Sequence, residues 1–213
     1  MMKKTFILLL ALVSFVAFPE SVSAQFDLSK ALGSLLGGSS KSTTTTTTND
    51  PYKKLAEAAP AASTLNGTWS YDSATFTYLG NNPLADVVVA QLDPIIADVM
   101  RQLGVTRGSA ELSMQSGEGV VSHGDSEIRG KYTYQRSTAA ITVSTTYEGK
   151  SVSVSGYVKY GSNMLTVLLD VKQLVKAVKT VYPELKSDQN IVLMDSLLKD
   201  MTGVYAVGKF KRK

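Results

Sequence analysis

The chain has no cysteine, one histidine (His123), one tryptophan (Trp69) and six prolines among its 213 residues. Without cysteine there are no disulfides and no lipid anchor attached through a thiol. A single imidazole cannot supply the four nitrogen or sulfur ligands of a tetrahedral zinc site. A Ser-His-Asp arrangement would have to use His123, and the surrounding Gly119-Val120-Val121-Ser122-His123-Gly124 does not spell the strained Gly-x-Ser-x-Gly elbow. No glycine-rich loop runs into a lysine in the manner that cradles phosphates. The densest local acids, Asp125 and Glu127, form a pair in a turn rather than the spaced loop of a calcium site. Carboxylate pairs for glycoside hydrolysis meet only in the fold, so sequence leaves them open. The expectation is a protein that is not an enzyme, with no catalytic residues, no metal and no cofactor.

Charge of one sign is also scarce. The chain carries a formal +4, and four cations, Lys209, Lys211, Arg212 and Lys213, crowd the last five residues. Basic residues and stacking aromatics are not interleaved on any one segment, which argues against nucleic acid as a partner. The basic end reads as a solvated terminus that keeps the last strand from pairing onward, with contact to phosphates or anionic lipid as the alternative.

Long apolar runs are missing except at the start. Lys3 and Lys4 precede an uncharged run from Phe6 to Phe18, then Pro19-Glu20 and the small residues Val22-Ser23-Ala24. The run is short of the about 20 residues that span a bilayer, and the order is that of a cleavable signal peptide. Residues 1–24 are therefore expected to be removed between Ala24 and Gln25, with an uncleaved anchor as the alternative. Removal of Lys3, Lys4 and Glu20 takes the charge from +4 to +3. No later stretch reaches 18 apolar residues, so the mature chain is expected to have no transmembrane segment and to be periplasmic or secreted.

Residues 25–64 read as an N-terminal segment: a weakly amphipathic stretch over 25–38, a threonine run Thr43–Thr48 with nothing to bury, read as a disordered tether, and a short helix from Pro51 through Ala62. From Leu65 to Lys213 the pattern has period 2, the mark of half-buried strands. Gly67-Thr68-Trp69-Ser70-Tyr71 sets Trp69 and Tyr71 on one face. In 126–136, Ile128, Gly130, Tyr132 and Tyr134 alternate with Arg129, Lys131, Thr133 and Gln135. Ala139-Ile141-Val143-Thr145-Tyr147 and Val152-Val154-Gly156-Val158-Tyr160 repeat the alternation around a turn at Glu148-Gly149, as antiparallel hairpins do. With 107–114, 119–122, 163–169 and 204–210 the count is about eight strands, the number whose barrel interior is filled by side chains or holds one small ligand.

Three helices interrupt them. The first starts at Asn82-Pro83 and holds an apolar stripe from Leu84 to Leu103, with a kink expected at Asp93-Pro94. The second opens at Asp170 with Leu174, Val175 and Val178 inward, and the third at Asp188 with Ile191, Val192, Leu197, Leu198 and Met201, closed by Gly203. The fold class is mainly β with added helices (α+β): an antiparallel barrel or half-barrel of about eight strands with helices over an open end.

Five features in order carry a resemblance: Gly67-x-Trp69-x-Tyr71, the amphipathic helix after the first strand, Gly130-x-Tyr132, the paired helices after Leu169, and the lysine-rich Gly208-Lys209-Phe210 ending. Over Leu65 to Lys213 they resemble a lipocalin-like family of unknown function among exported proteins of Gram-negative gut bacteria. The long helix after the first strand departs from ordinary lipocalins, which run straight through their meander. The resemblance implies a fold and brings no catalytic residues.

Trp69, Tyr71, Tyr132, Tyr134, Tyr147 and Tyr160 fall on the faces read as inward. They either fill the barrel with hydroxyls at the rim or line a ligand cavity. Two function classes follow: an exported, non-enzymatic binder of a small, partly apolar ligand, or an envelope interaction or scaffold protein with a filled core.

Overall fold

Two-residue turns with left-handed backbone fix the register of the sheet. Ser116-Gly117 (φ 50 and 87) and Ser162-Asn163 (φ 52 and 61) have positive φ at both central positions, and Gly124 has it at the first of its pair. Such turns match the right-handed twist of the strands they join. The computed structural model describes residues 50–80, 82, 85, 86, 89, 100, 101, 104–147, 149–187, 189–199 and 201–213. The signal peptide, the 25–38 stretch, the threonine run, Asp93-Pro94 and Asp188 lie outside these residues.

Eight antiparallel strands form a closed barrel in chain order: β1 (Gly67–Tyr78), β2 (Ala110–Gln115), β3 (Glu118–His123), β4 (Ser126–Gln135), β5 (Ala140–Tyr147), β6 (Lys150–Gly161), β7 (Met164–Asp170) and β8 (Val204–Arg212). The barrel is complete rather than half-formed. β8 pairs with β7 on one side and β1 on the other, from Trp69↔Arg212 to Tyr78↔Val204. The basic ending is thus not an unpaired terminus. Lys213 donates its backbone N–H to Thr68 and its ammonium to Glu111.

β1 continues past Tyr71 across a bulge between Tyr71 and Ser73 that shifts its register against β8. One extra residue reverses the phase of the alternation. Trp69 and Tyr71 are buried before it, Ala74 and Phe76 after it, so a strict period-2 reading stops there. β2 starts at Ala110 rather than 107, since Gly104 and Gly108 both take positive φ in the turn before it. The ladder between β1 and β2 ends at Ser70↔Glu111, and the connection beyond β1 contributes Val89, Met100 and Val105 to the core. In the expected helix after Pro83, the described residues Ala85, Asp86, Val89, Met100 and Arg101 are helical.

Upstream of Leu65, the helix expected over 51–62 is two pieces, α1 (Pro51–Glu57) and α2 (Ala62–Leu65). Asp50 caps α1 by accepting the Tyr52 N–H, and Pro60 disfavours helical backbone at the residue before it. α1 packs outside the barrel, where Leu55 joins Leu168, Tyr205 and Val207 in a second buried cluster. Tyr157 lies between Tyr52 and Tyr205, with ring centroids 5.4 and 5.7 Å away.

α3 (Val171–Val181) is capped by Asp170, which accepts the Gln173 N–H. Its buried Val171, Leu174, Val175, Val178 and Val181 join the barrel core. β7 pairs with β6 only as far as Gly156↔Leu169, and α3 covers the rest of that edge: Gln173 accepts the Ser155 N–H and Lys150 donates to the Val181 carbonyl. In α4 (Gln189–Leu198), Ile191 and Leu198 are buried but Val192 is exposed, so the expected apolar face is narrower than its sequence.

The β6 and β7 backbones come close together at Gly156, the last rung of their ladder. A Cβ there would lie 1.8 Å from the Leu168 carbonyl oxygen, a backbone atom that cannot move aside. Gly156→Ala is expected to lower stability by about 3 kcal/mol, the upper part of the usual overpacking range, measured by urea denaturation.

Candidate ligand-binding site

The inward faces of β2, β3, β4 and β5 are aliphatic along most of their length and meet β7 and β8 across an apolar cavity of about 80 Å³. Leu112 and Met114 come from β2, Val121 from β3, Ile128 and Tyr132 from β4, Ile141 and Val143 from β5, Val167 and Leu169 from β7, and Phe210 from β8. The space exists because Gly119 and Gly130 are cross-strand partners on the cavity side. Their missing side chains leave bare backbone where a pair of residues would otherwise meet. Gly130 is also sterically required, since a Cβ would come within 2.8 Å of the Ser144 carbonyl oxygen.

Six aromatics were singled out by sequence, and the structure distributes them around the core. Tyr132 lines the cavity. Trp69 is fully buried in the plug at one end of the barrel, where its indole N–H donates to the Leu65 carbonyl at 3.1 Å. The Arg212 guanidinium stands 5.1 Å from its ring centre, and the Tyr160 ring meets it edge-on at 5.9 Å. Arg212 also donates to the Asn66 carbonyl, which ties the last strand to the α2 turn.

Tyr134 and Tyr160 reach the same rim: their hydroxyls donate to the Pro60 carbonyl (2.7 Å) and to Asn163 Oδ1 (3.0 Å). Tyr71 packs edge-on against Phe210 at 6.0 Å. Burial, with the Asp72 carboxylate beside it, pushes its phenol up to about 12, so it is neutral at ordinary pH. Tyr147 lies at the opposite end, 6.3 Å from Tyr182 just after α3. Trp69, Tyr71, Tyr134, Tyr147 and Tyr160 pack against the core cluster and do not line the cavity.

Sequence weighting by aromatics passed over Leu112, Val121, Val143 and Phe210. The signal for them was the same alternation, because Ile128 and Gly130 were already read on the Tyr132 face. Elsewhere, His123 Nε2 lies 3.1 Å from the Gly104 carbonyl oxygen beside the β3–β4 turn. Glu127 is ion-paired to Arg129 rather than gathered with Asp125. Among the described residues no helix is long and apolar enough to cross a membrane.

Because Trp69 is fully buried in the core, Trp69→Ala is expected to cost about 3–5 kcal/mol. Chemical denaturation of the purified variant checks this, and a loss below about 1 kcal/mol would contradict the plug.

No curated protein and no solved structure matches the chain. The family described as Lipocalin-like domain (DUF4923) matches residues 32–212, beginning upstream of the Leu65 from which the resemblance is traced. A match over that much of the chain, on a closed eight-stranded antiparallel barrel, makes this protein a member of that lipocalin-like family.

Proposed function

We propose that the protein is an exported, non-enzymatic binding protein that takes the apolar part of a small ligand into the barrel. The observation that carries this reading is the apolar cavity of about 80 Å³ lined by aliphatic side chains of five strands and by Phe210 of β8. At about 10–15 Å³ for each water-sized group, it holds a file of roughly six such groups. That is well below the about 300–1,000 Å³ of pockets for drug-sized molecules. The size favours a slender chain over a fused ring system, and the wall offers few polar groups to orient anything else.

Isothermal calorimetry and thermal unfolding with hexanoate, octanoate, decanoate and cholate test the reading. Octanoate or decanoate is expected to raise Tm, by mass action on the folded state, and cholate is not. Val121→Phe, which puts a ring into the cavity, is expected to remove the effect while the protein still folds. If no fatty acid binds, the filled-core reading takes over, with an envelope protein as partner and the outer surface as the working part.

Export to the periplasm or beyond rests on Lys3-Lys4, the Phe6–Phe18 run and Val22-Ser23-Ala24. N-terminal sequencing of the exported protein is expected to begin at Gln25. A product that keeps Met1 in the inner membrane would refute the cleavage.

A further inference from the structure

We propose that ligand reaches the cavity through the side of the barrel, between β4 and β5, and rests with its polar head in a groove on the outer wall. The proposal rests on the binding reading above and adds a route and a ligand class to it.

Among the described residues, large apolar side chains are buried towards both ends of the barrel. Leu65 and Trp69 are buried towards one end, and Val105, Met100 and the inner face of α3 towards the other. One gap in the wall lies where the β4–β5 ladder stops. That ladder runs from Gln135↔Ala140 to Lys131↔Ser144 and no further, although β4 begins at Ser126 and β5 continues to Tyr147. Over this stretch the ladder partner of β4 is β3 and that of β5 is β6. The Thr145 hydroxyl reaches across it, donating to the Arg129 carbonyl at 2.8 Å. This hydroxyl occupies a carbonyl that a ladder N–H would otherwise take, and it can let go without breaking a backbone pair.

Outside this seam lies a groove of about 600 Å³. Gly119, Gly130, Lys131 and Thr145 line both the groove and the cavity, so a single layer of backbone separates the two. The groove is polar where the cavity is not. Ser144, Thr146 and Ser151 bring hydroxyls, and Arg129 and Lys131 bring cations, with Glu118 the one acid. Glu127 already engages Arg129, so the charge is nearly balanced and the hydroxyls dominate. An amphipathic molecule fits this division: a slender apolar chain inside, and a polar or singly anionic head of carboxylate size outside.

The absence of native cysteine makes the seam directly testable. In the full mature chain, Arg129→Cys and Thr146→Cys place two thiols across the gap, and a short bismaleimide joins them. With carboxyl-labelled decanoate as the probe, NMR line shape gives the exchange rate. The cross-linked protein is expected to exchange decanoate at least tenfold more slowly than the same variant before cross-linking. Thr145→Val, which removes the hydroxyl and keeps the shape, is expected to exchange it severalfold faster than wild type. Circular dichroism confirms that each protein is folded. Unchanged exchange in the cross-linked protein overturns the side entrance, and unchanged exchange in Thr145→Val overturns the latch. Absence of decanoate binding to wild type instead overturns the binding reading on which the entrance depends.

Discussion

Closure of the sheet by β8 onto β1 is the constraint on which the rest of the structure depends. β8 is the last strand of the chain, and until it inserts between β7 and β1 both of those strands present open edges. Closed barrels remove such edges altogether, but only if each strand coils enough to meet its neighbours. That demand explains features with little else in common: the bulge at Asp72 that turns β1, the bare backbone at Gly156 against the Leu168 carbonyl, and Gly130 against Ser144. It also gives Arg212 its place. At the last paired residue of β8, its guanidinium covers the Trp69 ring and holds the Asn66 carbonyl, so the two ends of the barrel sequence lock one another.

Most of this was legible in the sequence wherever one face was wet and the other buried. β4 alternates without a break from Ser126 to Gln135, and the reading of Ile128, Gly130, Tyr132 and Tyr134 as one face holds. The helix after β7 was equally plain, because Asp170 caps it and its lysines leave one apolar stripe. What could not be read is whatever depends on a partner distant in the chain. The outward-facing Tyr157, Leu168 and Tyr205 break the rule that the outer face is polar, and only the docking of α1 over them accounts for it. The phase reversal in β1 is hidden for a similar reason, since a bulge is defined by the partner strand.

The candidate site was legible in direction but not in identity. Period 2 says which residues point inward and nothing about which level of a barrel they occupy. Large aromatics were the natural candidates for a pocket, yet large rings are also what best seals a barrel end. Trp69, Tyr134 and Tyr160 gather near one rim with polar tips bonded to Leu65, Pro60 and Asn163. The middle level is left to smaller side chains and to the Gly119–Gly130 pair, and there the space remains.

That space has a cost that bears on what it is for. An apolar void destabilises a core by about 24 cal/mol per Å³, so 80 Å³ amounts to about 2 kcal/mol. Nothing in the topology forces it. Val121, Val143 and Val167 each line it, and a larger aliphatic at two of those positions would occupy much of the volume without touching the close backbone approaches at Gly130 and Gly156. The β4–β5 seam poses the same question, because one more rung beyond Lys131↔Ser144 would bring backbone hydrogen bonds where the Thr145 hydroxyl now reaches across. Two independent economies of stability therefore go unused in the same part of the barrel, side by side. A core whose task was only to hold an outer surface in shape would gain from both, whereas a core that admits a ligand needs the void and the seam together.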